Sequence, residues 1–550
     1  MTDIKKEIRK FALSNAYEHK GKAQTGPIIG KLISSGLISA SKINTILPQI
    51  NEIIKDVNKI GYKNQEKELK KIHPEFFKKE KKEETLKELP NAKEGRVVTR
   101  MPPEPSKYIH VGHALSFLIN HLYAKKYKGK SILRFEDTNP EKATQEYVDS
   151  IKDDLFNYLK IKPDKTVYES EDIPKMYKYA ERLIKANKAY VCFCSREEVR
   201  KLRNIGQCCE CRASISGLKE WKNMLNGKYK DGEATLRLKI DMCCPNTAMR
   251  DPAIFRISSK KHYKQGNKYK VWPLYDFAAA VEEELCGITH VLRSSEFGTM
   301  RIELQNWISE QLGFEKKTFI QYGRFHIAGA ITQGREIKEL IKKKKVSGWD
   351  DPSLVTLKAL RRRGIHPKTF EKLAIKVGLS KTETKIDWSI IAAENRKIID
   401  PISNRYFFVE NPVKIKVAGV KDKEVKIKVH PDKREYRKLK VTDEFYIPKK
   451  DAKGSYIRLK DYIKIQKSKN KYTLAENQSL DPKIQKIQWV PAKENVNVEI
   501  LMPDKSVKEG LAEINVKKLK EGEVIQFERF GFCRLDKKSK NKLIFIFSHL

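Results

Sequence analysis

No apolar run in the chain approaches the roughly 20 residues that a membrane-spanning helix needs. That excludes a helical membrane protein. The opening Met1-Thr2-Asp3-Ile4-Lys5-Lys6 also lacks the apolar core of a signal peptide, so a soluble cytoplasmic protein is expected. Cysteine is absent before Cys192, and then five cysteines fall within Cys192–Cys211. In a cytosolic chain such clustering argues against a disulfide scaffold and for metal binding. Acidic residues are few against basic ones: 71 Asp and Glu against 113 Lys and Arg give a formal net charge of +42. A solvated lysine-rich surface accounts for part of that excess. A charge this large also favours a polyanionic partner, because nucleic acid binding draws on counterion release. No internal repeat is evident.

At 550 residues, with 39% apolar and 33% charged residues, the chain has room for roughly three to five domains. Residues 3–70 carry helical patterns. Ile4, Ile8, Phe11 and Ala12 recur at helical spacing, Gly21 and Gly26-Pro27 interrupt them, and Ile28, Ile29, Leu32 and Ile33 begin another amphipathic segment. Lys70–Glu94 is rich in Lys and Glu and reads as a solvated linker or exposed helix.

The most informative stretch follows. The β-branched run Arg96-Val97-Val98-Thr99 leads into the proline-rich loop Arg100–His113. A helix with Leu115, Leu118, Ile119 and Leu122 on its buried side comes next, then Gly129 and a second strand, Ser131–Phe135. Strand, loop, helix and strand make a βαβ unit of a parallel sheet, in which ligands bind at the carboxyl ends of the strands. The second strand ends in Arg134-Phe135-Glu136-Asp137-Thr138-Asn139-Pro140, polar residues that are expensive beside a buried strand unless they bind something. Residues 190–272 read as an insertion with short strands such as Ala234–Ile240. Gly287–Arg293 is another buried strand, ending in an arginine, and residues 346–395 are helical. From Tyr406 onward the texture alternates with period two, as in Val413–Val417, Val425–Val429 and Val496–Ile500. This predicts one or two β-barrels, and their interleaved lysines and aromatics suit an RNA surface.

His110-Val111-Gly112-His113 places two imidazoles on one face of a helix start. The unpaired N–H groups and positive dipole end there suit phosphate. Gly112, without a Cβ, lets a flat base approach the backbone, and histidine donors stabilise developing charge. A zinc pair is a further reading, without an obvious third ligand at metal-site spacing.

Here the chain resembles a known family. Arg100–His113, including Pro103, Glu104, Pro105, Ser106, Tyr108, Ile109 and Val111, resembles the first signature region of class I aminoacyl-tRNA synthetases in the glutamyl/glutaminyl subgroup. Arg134–Glu141, Tyr275–Ala278, Gly287–Arg293, Gly348–Pro352, Asn395–Asp400 and Arg405–Phe408 resemble further segments of that subgroup in the same order. Residues 12–36 resemble the helical extension of its archaeal-type glutamyl members. The implied fold is multidomain α/β plus β. It has a helical extension and charged linker (1–90), two halves of a Rossmann-like catalytic domain (91–190 and 273–345) and an inserted module for the tRNA acceptor end (191–272). A helical connecting domain (346–395) and anticodon-binding β-barrels (396–550) complete it.

The resemblance implies a two-step reaction. Glutamate and ATP with Mg²⁺ give glutamyl-adenylate and pyrophosphate, and the terminal ribose of tRNA then takes the glutamyl group. His110 and His113 are expected on the ATP phosphates and Gly112 under the adenine. Arg100 and Arg293 each suit one substrate carboxylate, Tyr275 offers a hydroxyl, and Asp137 faces the ammonium group, with Glu104 also at the amino acid. The glutaminyl branch has an uncharged residue where Arg293 stands, which favours glutamate over glutamine. An ion pair with Glu296 is the plainer role for Arg293. The tRNA is the glutamate species, with the glutamine species left open, and a monomer is expected. Cys192, Cys194, Cys209 and Cys211 form two Cys-x-Cys pairs with 14 residues between Cys194 and Cys209. They suit a structural Zn²⁺ in the insertion, with Cys208 as an alternative ligand.

One element departs from the pattern. The family's second signature is a mobile loop whose lysine stabilises the triphosphate. Here, within Gly329–Glu339, its Ser-Lys pair stands as Gln333-Gly334. Arg335 and Lys338 are the substitute cations to consider. The departure keeps open a catalytically impaired relative that binds tRNA without charging it.

Overall fold

Four helices at the N-terminus enclose a core of their own. The computed structural model describes residues 4–19, 21–39, 42–76, 85–214, 217–469, 471–479 and 484–550. In it α1 (Ile4–Glu18), α2 (Thr25–Ser34), α3 (Ile43–Lys59) and α4 (Tyr62–Ile72) gather Ile8, Ala12, Leu32, Ile50, Val57 and Leu69. Buried amides hold the joint that Gly21 opens. Asn15 Oδ1 accepts from Gln24 N–H at 2.7 Å, and Gln65 Nε2 donates to the Gly21 carbonyl at 3.0 Å. This unit spans Met1–Thr85, and the second spans Leu86–Leu550. The expected linker 70–94 is therefore shorter than its composition implies. The helix α4 runs to Ile72, and Leu86, Leu89 and Ala92 pack into the second unit's core. Residues 77–84 of the expected linker lie outside the described residues.

The second unit begins with β1 (Val98–Met101), α5 (Val111–Lys126), β2 (Lys130–Phe135), α6 (Gln145–Lys152), β3 (Lys165–Tyr168) and α7 (Ile173–Lys185). The three strands are parallel, in the order β1-β2-β3. Gly129 is needed at the start of β2, because a Cβ there would lie 1.9 Å from the Val97 carbonyl oxygen. After α6 the helix widens into a π-turn, Asp153–Tyr158. Asp154 is buried in it with neither carboxylate oxygen hydrogen-bonded among the described residues, and burial raises its pKa to about 7. The unfolded carboxyl titrates near 3.9, so the native state holds the extra proton between about pH 4 and 7. Stability from this group is present at low pH and is lost as pH rises through 7. Asp154→Asn is therefore expected to gain about 2–3 kcal/mol more, relative to wild type, at pH 8 than at pH 5. Chemical denaturation at the two pH values measures the difference, and equal gains at both would refute it.

The insertion holds β4 (Ala189–Cys192), α8 (Arg196–Ile205), α9 (Gly217–Leu225), β5 (Thr235–Leu238), β6 (Ala253–Ile257) and β7 (Val271–Pro273). Its four strands form an antiparallel sheet in sequence order. Apart from a small cluster of its own around Tyr190, Cys192 and Cys209, its core is shared. Trp221 and Phe255 pack with Phe277 and Leu304 of the elements that follow.

Those elements are α10 (Tyr275–Leu285), β8 (His290–Ser294), α11 (Gly298–Leu312), β9 (Thr318–Tyr322), β10 (Phe325–Ile327) and α12 (Gly334–Lys342). The strands β8 and β9 are parallel. The Val98 amide donates to Thr289 Oγ1 at 2.9 Å and the Thr289 amide to the Val98 carbonyl at 3.1 Å, which sets β8 beside β1. The strand order β3-β2-β1-β8-β9 reverses its direction of growth between β1 and β8. A crevice opens at such a switch point, at the carboxyl ends of the strands.

The region 346–395 contains α13 (Leu357–Arg362), α14 (Pro367–Val377), β11 (Thr384–Ile386) and α15 (Trp388–Ile399). It is neither wholly helical nor independent. The strand β11 pairs in parallel with β10, and Leu357, Leu360, Phe370 and Leu373 share one core with Leu115 and Leu118 of α5. The C-terminal part forms two seven-stranded sheets among the described residues, with a hairpin of Lys423–Lys428 and Tyr436–Val441. Each sheet has its own core, one around Phe407, Phe445 and Trp489 and the other around Phe408, Phe527 and Phe545. Among the described residues no helix is long and apolar enough to cross a membrane.

Candidate active site

A cavity of about 1130 Å³ opens at the carboxyl ends of β1 and β8. The loop after β1, the start of α5, the end of β8 and the start of α12 line it. Most of the expected site residues meet here: Arg100, Glu104, Ser106, His110, Gly112, His113, Tyr275, Arg293, Arg335 and Lys338. Pro103 and Ile109 line an adjoining cavity of about 450 Å³ that reaches Arg256 of the inserted sheet.

The two histidines cap their own helix. Nδ1 of His110 accepts the Gly112 N–H at 3.0 Å, and Nδ1 of His113 accepts the His110 N–H at 3.3 Å. The ring centroids are 3.9 Å apart. Burial, with Lys107 and Arg324 near, lowers His110 to about 3; burial, with His110 and Lys107 near, holds His113 well below the usual histidine range. Both rings are therefore neutral. With each Nδ1 accepting, the ring hydrogen sits on Nε2. Gly112 serves this cap directly. A Cβ there would lie 2.9 Å from His110 Cε1, so glycine makes room for the His110 ring as well as for anything lying in the cavity. The stretch is also clamped from the far side. The Leu357 amide donates to the Ile109 carbonyl at 3.0 Å, and the Val111 amide to the Val355 carbonyl at 3.4 Å. Tyr108 leans on Trp349 at 5.0 Å and donates to Glu146 at 2.7 Å.

The two arginines differ in what they have left to offer. Arg100 donates from Nε to Glu283 at 2.8 Å and from Nη1 to the Leu292 carbonyl at 3.2 Å. Arg293, 4% exposed, donates from Nη1 to Gln305 at 2.9 Å. Its Nε and Nη2 are buried without a hydrogen-bond partner among the described residues. Phe297 and Phe319 flank its guanidinium at 5.6 and 5.3 Å. It makes no ion pair with Glu296, which is 3.3 Å from Arg324 instead. Tyr275 stacks on Phe297, and burial raises its hydroxyl, keeping it a donor.

Asp137 does not reach the cavity. It is fully buried, and its oxygens accept from the Ser170 amide, the Ser170 hydroxyl and the Tyr263 hydroxyl, each at 2.8 Å. Like Glu104, its neighbour Glu136, held by Arg134 Nη2 at 3.1 Å, lines both cavities. Alternation along β2 is the signal that separates the two: adjacent residues past a strand end point to opposite sides. The Arg335 side chain is 92% exposed and 3.8 Å from Glu339, while Lys338 donates to the Ser106 carbonyl at 3.4 Å. Lys107, absent from the expected set, lines both cavities.

The family of class I (E and Q) tRNA synthetases matches this chain twice. Its catalytic domain matches residues 96–401 and its anticodon-binding domain residues 403–544. The chain belongs to this family. Among similar proteins, the glutamate–tRNA ligase of Pyrococcus furiosus is 41% identical over 579 residues, covering all of both chains. That of Pyrococcus abyssi is 41% identical over 576 residues, again covering all of both. That of Methanocaldococcus jannaschii is 38% identical over 558 residues, covering 99% of this chain and all of its own. The cavity thus lies within the catalytic match, and the two seven-stranded sheets lie in the anticodon-binding one except for the end of the last strand, Lys542–His549.

The insertion carries the third group. The ligand sulfurs of Cys192, Cys194, Cys209 and Cys211 all lie within 4.8 Å of one another, with Cys192 and Cys209 at 3.8 Å. A tetrahedral site with Zn–S near 2.3 Å has sulfurs roughly 3.8 Å apart, so the set fits zinc. Arg237 Nη1 donates to Cys192 and Cys209 at 3.6 Å each, offsetting thiolate charge. Cys208 is exposed and outside the group.

Proposed function

We propose that this chain joins glutamate to tRNA through glutamyl-adenylate, with MgATP as substrate, in the cavity between β1 and β8. The observation that carries the site assignment is Arg293. Two buried guanidinium donors without a partner, beside a histidine-capped helix start, are the complement of a carboxylate next to a phosphate. Arg293 takes one carboxylate of glutamate, the donor left on Arg100 supports the other, and Tyr275 adds a hydroxyl. Glu136 meets the ammonium group. The Nε2–H groups of His110 and His113 point the site toward phosphate oxygens, assisted by the positive end of α5. In the first step a glutamate carboxylate oxygen attacks the α-phosphorus in line and pyrophosphate leaves, so positioning and charge stabilisation carry the rate. In the second step the terminal ribose approaches through the adjoining cavity near Arg256.

The tRNA body meets the C-terminal sheets. On the hairpin there, Lys426, Lys428, Lys438 and Lys440 are exposed while Ile427 and Leu439 turn inward, a stripe suited to phosphates. The reading is tested by aminoacylation of separated glutamate and glutamine tRNAs with each amino acid. Glutamate transfer to the glutamate tRNA is expected. Transfer of glutamine alone would overturn it, and intact tRNA binding with no transfer would favour a non-charging relative.

Zn²⁺ held by Cys192, Cys194, Cys209 and Cys211 ties the end of β4 to the turn Glu210–Ala213. It has no part in the chemistry. Removing it with a strong chelator is expected to lower the melting temperature and loosen tRNA binding while leaving glutamate binding intact. Metal analysis finding no zinc in the reduced protein would sink the assignment.

A further inference from the structure

The loop Gly329–Arg335 contains no lysine, and its first cation, Arg335, extends into solvent. Of the other cations around the cavity, Lys342 has no hydrogen bond or ion pair among the described residues but is exposed, Arg293 keeps two free donors in the core, and the rest are engaged. Arg324 pairs with Glu296 at 3.3 Å, Lys142 with Glu104 at 3.9 Å, and Lys338 bonds the Ser106 carbonyl at 3.4 Å. Lys107 is different. It is half-buried, lines the cavity three residues before His110, and has no hydrogen bond or ion pair among the described residues. Its aliphatic stem lies against the start of α12: a Cβ on Gly334 would be 3.0 Å from Lys107 Cδ and 3.1 Å from its Cβ. The residue that replaces the loop's usual lysine is thus a glycine, and the space it leaves is filled by a lysine from the first signature. Burial lowers the Lys107 pKa, and the same ammonium is felt at both histidines.

We propose that Lys107 is a catalytic residue of the activation step, its ammonium meeting the departing pyrophosphate of ATP in place of a loop lysine. This rests on the reading of the cavity given above. As the glutamate carboxylate oxygen bonds to the α-phosphorus, the bond from that phosphorus to the bridging oxygen breaks. The bridging oxygen leaves with the electron pair as part of pyrophosphate. Negative charge builds there, and Lys107 offsets it from a position fixed by Gly334. The charge develops in the transition state, so the effect falls on kcat.

The test uses the full chain with its tRNA. Lys107→Met keeps the stem and removes the charge. It is expected to lower kcat of glutamate-dependent ATP–pyrophosphate exchange by about 10²-fold, the scale of one transition-state donor, with little change in KM for ATP. Single-turnover transfer from chemically prepared glutamyl-adenylate to tRNA is expected to stay at the wild-type rate, because pyrophosphate has already gone. Lys107→Arg restores part of the exchange. Gly334→Ala, which crowds the lysine stem without removing it, slows exchange several-fold and again spares transfer. A Lys107→Met variant whose exchange stays within threefold of wild type, or whose transfer slows as much as its exchange, overturns the inference. Failure of the wild type itself to exchange with glutamate overturns the underlying reading instead.

Discussion

Arg293→Met is expected to lower glutamate activation by roughly 30- to 5,000-fold, the equivalent of the 2–5 kcal/mol lost when a buried, hydrogen-bonded charge loses its partner. The physical argument is the state of the free enzyme. Nε and Nη2 of Arg293 are buried with nothing to bond among the described residues, and a ligand carboxylate placed against them would complete their hydrogen bonds. The loss should appear mainly in KM for glutamate, with ATP and tRNA binding retained. The same substitution should leave the fold at least as stable as wild type, since methionine replaces a desolvated, half-satisfied cation with an apolar chain of similar length. Activity and stability then move in opposite directions, which a merely structural arginine would not do. Thermal melting read beside glutamate kinetics checks both. A glutamate KM within threefold of wild type, or a large fall in melting temperature, would remove Arg293 from the amino acid site. Arg293→Lys is expected to recover little, because an ammonium cannot reproduce the two-pronged guanidinium.

The second large effect concerns the histidine pair. His110→Asn should slow activation by about 10²-fold while changing stability little. Asparagine caps helices well, so it can keep the bond to the Gly112 amide, but it does not place a donor where Nε2–H lies. His110→Ala loses the cap as well, at a further cost of about 1 kcal/mol in stability. The pH dependence is the sharper check. An unfolded histidine titrates near 6.5, while burial lowers His110 to about 3. The pair therefore stays neutral across the working range, and the activation rate should show no inflection near pH 6.5 that disappears in His110→Asn. The sign for stability follows. Between about pH 6.5 and 3 the unfolded state binds the proton and the native state does not. This group's contribution is thus complete above pH 6.5 and is lost as pH falls toward 3. An activity inflection near neutrality that vanishes with His110 would show a charged ring and refute the tautomer argument.

Much of the site was legible because its residues are close in sequence and on regular elements. The His110–His113 spacing on a strand-to-helix turn needs only helix geometry to bring the rings together. Arg293 ends a buried strand, and strand ends are where such sheets bind ligands. The two Cys-x-Cys pairs gather as their spacing suggests, with Cys208 turned outward. What went astray depended on contacts across the fold. Asp137 and Glu136 are neighbours, and only the partners at Ser170 and Tyr263 decide that Asp137 turns into the core while Glu136 meets the cavity. Arg335 stood where a family lysine was missing, yet its side chain lies in solvent. Nothing local to Gly334 announces that Lys107 packs against it from more than 200 residues away. The helical reading of 346–395 missed the strand Thr384–Ile386, because its partner Phe325–Ile327 lies in another part of the chain.

Composition, periodicity and motif order by themselves determined the class of fold, the family and the position of the paired histidines at the start of α5, since each rests on short-range spacing and backbone geometry. Which carboxylate lines the cavity, which arginine keeps free donors and which lysine stands beside the histidine pair were decided only by the tertiary structure. Those choices depend on burial and on partners brought together across long stretches of chain, where desolvation makes one hydrogen bond more or less the difference between a structural charge and an available one.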